Sequence, residues 1–185
     1  MGKLFLLLLF CIFIFPSVTC MNKNQAEKDY FTEAQKRDRK IEMQQSSGSL
    51  ESYLLVVNNP GQFFADWNKQ LPGMPVIQAN CMFRGHPTTA IVSFAGCKPD
   101  PKGLCEALVD FEVFQPDGKL YAEVKDLELW NGKPTIPEGK IELSVGYLTL
   151  KLPENSQLGT YKIKAHVWDK VAGIDMWLEK KLELK

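Results

Sequence analysis

Short apolar runs, broken by turn residues at steady intervals, fill residues 50–185. The clearest run, residues 107–113, alternates apolar side chains with mostly acidic ones, the pattern of a strand with one buried face. It ends at Pro116-Asp117-Gly118, where proline presets the first torsion of a turn and glycine accepts a positive φ. Seven or eight such runs predict an all-β domain, an antiparallel β-sandwich.

Two other stretches refine this pattern. The segment "QFFADWNKQ", which follows Asn58-Asn59-Pro60-Gly61, favours a short helical turn rather than a strand. Later, apolar residues alternate over positions 141–147 and then change phase at Leu148. Because Gly146 lies where the phase changes, we expect a β-bulge there within an otherwise continuous strand.

The first 20 residues have the pattern of an export signal. Lys3 provides a positive charge, residues 4–15 form an unbroken apolar core, and residues 16–19 are the small, extended stretch before a cleavage site. This core is too short to cross a bilayer as a helix, which needs about 20 residues. We therefore predict a signal peptide over residues 1–20 and an exported protein.

Cys20 ends this segment, and two fates remain open for it. The stretch Ser17-Val18-Thr19-Cys20 resembles a bacterial lipobox, although that pattern favours Leu first and Gly or Ala before the cysteine. A signal peptidase that cuts after Cys20 is the alternative. The expected location is periplasmic or outer-membrane-associated if the source is bacterial, and otherwise secreted. Any membrane contact would come only from the lipid on Cys20.

Residues 21–49 differ in composition from the rest of the mature chain. Charges of both signs crowd together, and only a thin apolar stripe recurs at helical spacing before the "SSGS" segment. We predict a polar tether or frayed helix with a flexible linker over residues 21–49. The sandwich domain is then expected over residues 50–185.

Charge argues against a nucleic-acid partner. The 185-residue chain has 22 basic and 22 acidic residues, and removal of residues 1–20 takes away only Lys3 among them. A nearly neutral chain offers no broad attraction to phosphate backbones.

The cysteines predict one structural disulfide. Cys97 ends one apolar run and Cys105 begins the next, so their Cα atoms can come within disulfide distance if the two runs are neighbouring strands. An oxidising, exported setting favours this pair. Cys81 is then left as an odd thiol, either buried on a strand or paired in some other way.

The segment "PENSQLGTYKIKAHVWD", residues 153–169, resembles the penultimate strand of immunoglobulin-like and fibronectin-like sandwiches. There a glycine, one residue and a tyrosine open a strand of alternating apolar residues. The resemblance places Tyr161 at the tyrosine corner, whose hydroxyl bonds back to the chain. Together with "VDFEVFQPDGK", residues 109–119, it makes the domain similar to small exported bacterial β-sandwich proteins, some of them lipoproteins.

Candidate chemistry is sparse. The segment "CMFRGH" holds side chains that suit monovalent copper, but Cys81 and Met82 would point to opposite faces of a strand. The two histidines, His86 and His166, lie far apart in sequence, and no nucleophile motif or phosphate loop accompanies them. We predict no catalytic residue, metal or cofactor, and ordinary surface or turn roles for both histidines.

The expected function is therefore binding rather than catalysis. The first hypothesis is a cell-envelope module that contacts a protein partner through a sheet face or edge. The alternative is a glycan-binding module that uses Trp168 and Trp177, whose phase places them opposite the apolar set. Less favoured alternatives are a thiol enzyme with Cys81 as nucleophile and a copper binder.

Overall fold

The computed structural model describes residues 44–47, 50–69, 78–138 and 140–185. The expected signal peptide with Cys20, and the expected tether up to residue 43, lie outside the described residues. The described residues are mostly β, with one short helix. In chain order the elements are β1 (Gln44–Ser47), β2 (Leu50–Val57), α1 (Pro60–Asn68), β3 (Cys81–Met82), β4 (Pro87–Ala95), β5 (Leu104–Phe114), β6 (Leu120–Pro134), β7 (Glu142–Leu143), β8 (Leu148–Lys151), β9 (Gly159–Asp169) and β10 (Ile174–Leu184).

The strands form two sheets. In the first sheet β1 pairs with β2 and β2 with β4, while β7 and β8 pair with different parts of β4. The second sheet has the order β3-β10-β9-β5-β6, and its only parallel pair among the described strands is β3 with β10. The predicted two-sheet β-architecture is confirmed. The described strands number ten rather than seven or eight, and one of them, β1, lies in the segment expected to be a tether.

The core lies between the two sheets and contains inward-facing residues of both. The predicted buried face of residues 107–113 is confirmed, since all four of its apolar side chains are fully buried on β5. Tyr161, Phe94 and Phe111 are the largest fully buried side chains. β2 and β4 also bury Leu55 and Ile91, which alternate with core residues and so lie on the opposite face of the first sheet.

The helix α1 begins where the sequence favours a helical turn. Pro60 occupies the start of the helix, where its missing N–H costs nothing, and the Asn59 side chain accepts a hydrogen bond from the Gln62 N–H at 3.2 Å. Phe64 of this helix contacts Tyr147, with 5.3 Å between ring centroids. The helix is thereby held beside the segment between β7 and β8.

The first sheet begins earlier than the sequence indicates. Residues 44–47, which fall within the expected tether, form β1 and pair antiparallel with β2 from Gln44 opposite Tyr53 to Ser47 opposite Leu50. An edge strand is held by backbone hydrogen bonds on one side, so a polar sequence without an apolar face can form it.

The continuous strand expected over residues 141–147 is wrong. Only Glu142 and Leu143 are in a strand there, and the chain then crosses to the second sheet, where the Gly146 N–H donates to the Glu128 carbonyl at 2.7 Å. A Cβ at Gly146 would lie 2.6 Å from the Leu127 Cβ, so the crossing requires glycine. Its apolar neighbours do not line the core. Ile141, Val145 and Tyr147 are 49%, 45% and 47% exposed.

The Cys97–Cys105 disulfide spans the loop between β4 of the first sheet and β5 of the second, so the two runs are not neighbours in one sheet. The two Cα atoms are 6.0 Å apart, and both residues are buried. The predicted pairing is confirmed, because β4 and β5 bring the two cysteines together at the ends of the loop between them.

The same corner contains a buried carboxylate, Asp169, at the end of β9. One of its oxygens accepts the Lys98 N–H at 2.7 Å. The other accepts the Val171 and Ala172 N–H groups at 3.0 and 2.9 Å. A single side chain therefore ties the disulfide loop to the turn between β9 and β10.

Candidate functional site

The outer face of the second sheet carries both candidate ligand-binding tryptophans. On β5, β9 and β10 every second side chain points away from the core. We call this set the outer face, and on these strands it includes Asp110, Glu112, Phe114, Thr160, Lys162, Lys164, His166, Trp168, Asp175, Trp177, Glu179, Lys181 and Glu183.

Strand register brings two tryptophans to one histidine. Because His166 lies directly opposite Trp177, the two rings stack with centroids 4.4 Å apart and planes 7° from parallel. Trp168, two residues along β9, has its ring centroid 4.9 Å from that of His166. We call Trp168, His166 and Trp177 the aromatic cluster. Trp177 is 42% exposed, so this cluster presents a ring to solvent.

Charged groups border the aromatic cluster. The Asp175 carboxylate accepts a hydrogen bond from His166 Nε2 at 2.7 Å, which makes Nε2 a proton-bearing nitrogen of this ring. The Lys164 ammonium lies 5.4 Å from the centroid of the Trp177 ring, within cation–π distance. The surface therefore combines aromatic rings with a carboxylate and an ammonium group that contact them.

Sequence reasoning identified the two tryptophans but missed His166 and Asp175. The alternation of residues 164–168 does place His166 beside Trp168 on one face. The alternation within β9 does not reveal its register with β10. That register pairs Trp177 with His166 and Asp175 with Trp168. The turn between β9 and β10 would have supplied it, since turn length fixes hairpin register.

Cys81 lies on β3 and is 5% exposed, and its backbone carbonyl accepts a hydrogen bond from the Asn58 side chain at 2.9 Å. A buried sulfur offers little access to a substrate or a metal ion. The thiol-enzyme and copper hypotheses stay predictions.

The remaining candidate residues have structural surroundings. His86 is exposed in a turn, with Nδ1 2.9 Å from the Arg84 carbonyl oxygen. Tyr161 is 1% exposed, and burial raises its pKa, as does the nearby Tyr121, while Ser156 acts in the opposite direction. The described residues contain no group of three His, Cys, Asp or Glu that could hold a metal ion.

Among the described residues, no helix combines the length and the apolar character that a membrane span requires.

No protein-family model matches the chain, and no curated protein matches it significantly. Among solved structures, the chain is similar to a family 123 glycoside hydrolase from Clostridium perfringens, studied for its hydrolysis of glycolipid glycans. The identity is 10% and the TM-score is 0.38, over 72% of this chain and 27% of that one. The chain thus spans about a quarter of that hydrolase. The likeness is a distant one of β-sandwich-like fold and carries no argument about function.

Proposed function

We propose that this protein is a non-catalytic carbohydrate-binding module that acts through the aromatic cluster. The observation that carries the proposal is the in-register row of Trp168, His166 and Trp177 on an exposed sheet face. Exposed aromatic side chains that lie together are typical of ligand-binding or partner-binding surfaces.

The chemistry of the row suits sugars. A sugar ring has an apolar face of C–H groups, which packs on a flat aromatic ring, and hydroxyl groups around its rim. Trp177 provides such a ring, one face of which stacks on His166. The Asp175 carboxylate bonds to His166, and the Lys164 ammonium lies over the Trp177 ring, so an acceptor and a donor are close by. A binding site built from aromatic walls and a few polar groups is the usual form of a small-ligand site.

The proposal also covers the type of β-sandwich and the cellular location of the protein. Tyr161 is buried at the start of β9, two residues after Gly159, whose φ of 127° requires glycine. These features support an immunoglobulin-like sandwich with a tyrosine corner. The signal-peptide pattern of residues 1–20 supports export to the cell envelope or beyond. There a binding module would meet glycans.

Tryptophan fluorescence tests the proposal directly. We expect at least one member of a soluble glycan panel to quench the fluorescence of the wild-type domain in a saturable way. Trp177→Ala should weaken that binding by about tenfold or more, a loss of roughly 1.4 kcal/mol, because the stacking surface is removed. Calorimetric titration provides the affinities independently of fluorescence.

Trp67→Ala is the matched control, since Trp67 lies on α1 and contacts Phe63 rather than the aromatic cluster. This variant should bind glycans like the wild type. Equal losses in the two variants, or no response to any glycan in the panel, would contradict the proposal.

Protein contact, the first hypothesis from the sequence, has a different surface in its favour. Val145 and Tyr147 are about half exposed, and Phe64 of α1 packs against Tyr147. Exposed apolar groups that lie together are typical of protein interfaces. We keep a cell-envelope protein partner as the second candidate function, through this surface.

A further inference from the structure

At the other end of the outer face lies an open depression of about 390 Å³. The turn between β5 and β6 forms one wall, and residues of β9 and β10 form the other. The residues that line it are Phe114, Gln115, Pro116, Gly118, Thr160, Lys162 and Lys181. Two lysines and no acidic residue are among these lining residues. Two carboxylates lie beside the depression, that of Glu183, which accepts a hydrogen bond from Thr160, and that of Glu179.

The two lysines lie together by register. Lys162 on β9 is directly opposite Lys181 on β10, and like charges in directly opposed positions destabilise a sheet. A bound anion between the two ammonium groups would relieve that repulsion.

The nearest carboxylate neutralises these lysines only weakly. Glu179 is 3.9 Å from the Lys162 ammonium and 3.8 Å from that of Lys181, so one acidic group serves two cations at the limit of ion-pair distance. Other lysine–carboxylate pairs on the described surface, such as Lys119–Asp117 and Lys133–Glu128, are 2.8 and 3.0 Å apart. The attraction between exposed charges is small even at those distances. The ammonium groups of Lys162 and Lys181 therefore retain the capacity to bind an anion.

An aromatic wall completes the depression. The Lys162 ammonium lies 5.3 Å and the Lys164 ammonium 5.6 Å from the centroid of the Phe114 ring. Phe114 thus offers an apolar surface beside the cationic groups. A sugar that carries an acidic group has both complementary features, since its C–H face packs on a ring and its anion binds ammonium groups.

The depression and the aromatic cluster can contact one extended ligand. Lys162 and His166 are four residues apart on β9, about 13 Å at the rise of a strand, and Lys164 lies between them. We propose that the depression is an anion subsite for an acidic polysaccharide, whose sugars carry carboxylate or sulfate groups and which continues across the aromatic cluster. This inference rests on the proposed carbohydrate-binding function.

Calorimetric titration with matched polymers tests the subsite. Polygalacturonate is compared with its methyl ester, and dextran sulfate with dextran, which separates carboxylate from sulfate as the recognised anion. We expect one acidic polymer to bind about tenfold or more tightly than its uncharged counterpart. This advantage should shrink between about 50 and 200 mM NaCl, because salt screens exposed charges.

Charge-matched variants separate the subsite from general attraction. Lys162→Gln with Lys181→Gln should reduce the affinity for the acidic polymer to that for its uncharged counterpart. Lys102→Gln with Lys151→Gln removes the same charge from exposed positions elsewhere and should retain the acidic preference. Far-UV circular dichroism and melting temperature confirm that each double variant is folded.

The outcomes distinguish this inference from the proposed function. If uncharged glycans bind in a Trp177-dependent way with no preference for the acidic polymers, the subsite is overturned and the proposed function stands. If an acidic polymer binds through Lys162 and Lys181 but Trp177→Ala has no effect, the aromatic cluster is overturned as the sugar site. Equal losses in the two double variants would also overturn the subsite.

Discussion

Asp169→Ala is expected to lower the free energy of unfolding by about 3 kcal/mol, which corresponds to a fall of roughly 10 °C in Tm. The fully buried carboxylate accepts backbone hydrogen bonds from Lys98, Val171 and Ala172. Alanine would leave three backbone donors without their acceptor in a site that water reaches poorly, and such donors retain their desolvation cost. Urea unfolding followed by circular dichroism measures the change.

Asp169→Asn tests the hydrogen bonds of the carboxylate separately from the loss of the side chain. Its amide oxygen can still accept the Val171 and Ala172 N–H groups, but its NH₂ group would face the Lys98 N–H, donor against donor. We therefore expect a loss of about half that of the alanine variant. Asp175→Ala provides the control, because this carboxylate is exposed and should cost less than about 1 kcal/mol. Equal stability of all three variants would show that the buried carboxylate does not hold this corner.

Removal of the Cys97–Cys105 disulfide is expected to cost about 2–3 kcal/mol of folding free energy. The two cysteines are eight residues apart in sequence, and the bond restricts the unfolded chain by closing this short loop. The appropriate change is Cys97→Ala with Cys105→Ala, because both positions are buried and serine hydroxyls there would lack partners.

The losses of folding stability from Asp169→Ala and from removal of the Cys97–Cys105 disulfide should not be additive. Lys98, which donates to Asp169, directly follows Cys97, so the carboxylate and the disulfide stabilise the same loop. We expect the combined variant to lose less stability than the sum of the separate losses, by about 0.5 kcal/mol or more. Full additivity in urea unfolding would indicate that the loop is held independently at its two ends.

The sequence predicts the architecture well where alternation is long. Residues 107–113 show a buried face because Asp110 and Glu112 alternate with the apolar side chains, although Leu108 breaks the pattern, and β5 has this face. Alternation failed at residues 141–147, where the apolar side chains lie on an exposed crossing between sheets. The two-residue period of apolar side chains does not by itself distinguish the buried strand at residues 107–113 from the exposed crossing at residues 141–147. The close approach of Gly146 to Leu127, a contact distant in sequence, decides the outcome.

The candidate site was predictable only in part for a similar reason. The phase of β9 and β10 places Trp168 and Trp177 outward, and the structure has both on the outer face. Which residue lies opposite which depends on hairpin register, a property of the pair of strands rather than of either one. The stack of His166 on Trp177 and the opposition of Lys162 to Lys181 both follow from that register.

The topology of the second sheet also governs when the protein can fold. β10 lies between β9 and β3, and its residue Glu183 pairs in parallel with Cys81, which comes about a hundred residues earlier in the sequence. Folding dominated by such distant contacts is slow, in the range of milliseconds to seconds. Synthesis must also reach β10 before the sheet can assemble. We therefore expect the second sheet to stay incomplete on the nascent chain until β10 has been made.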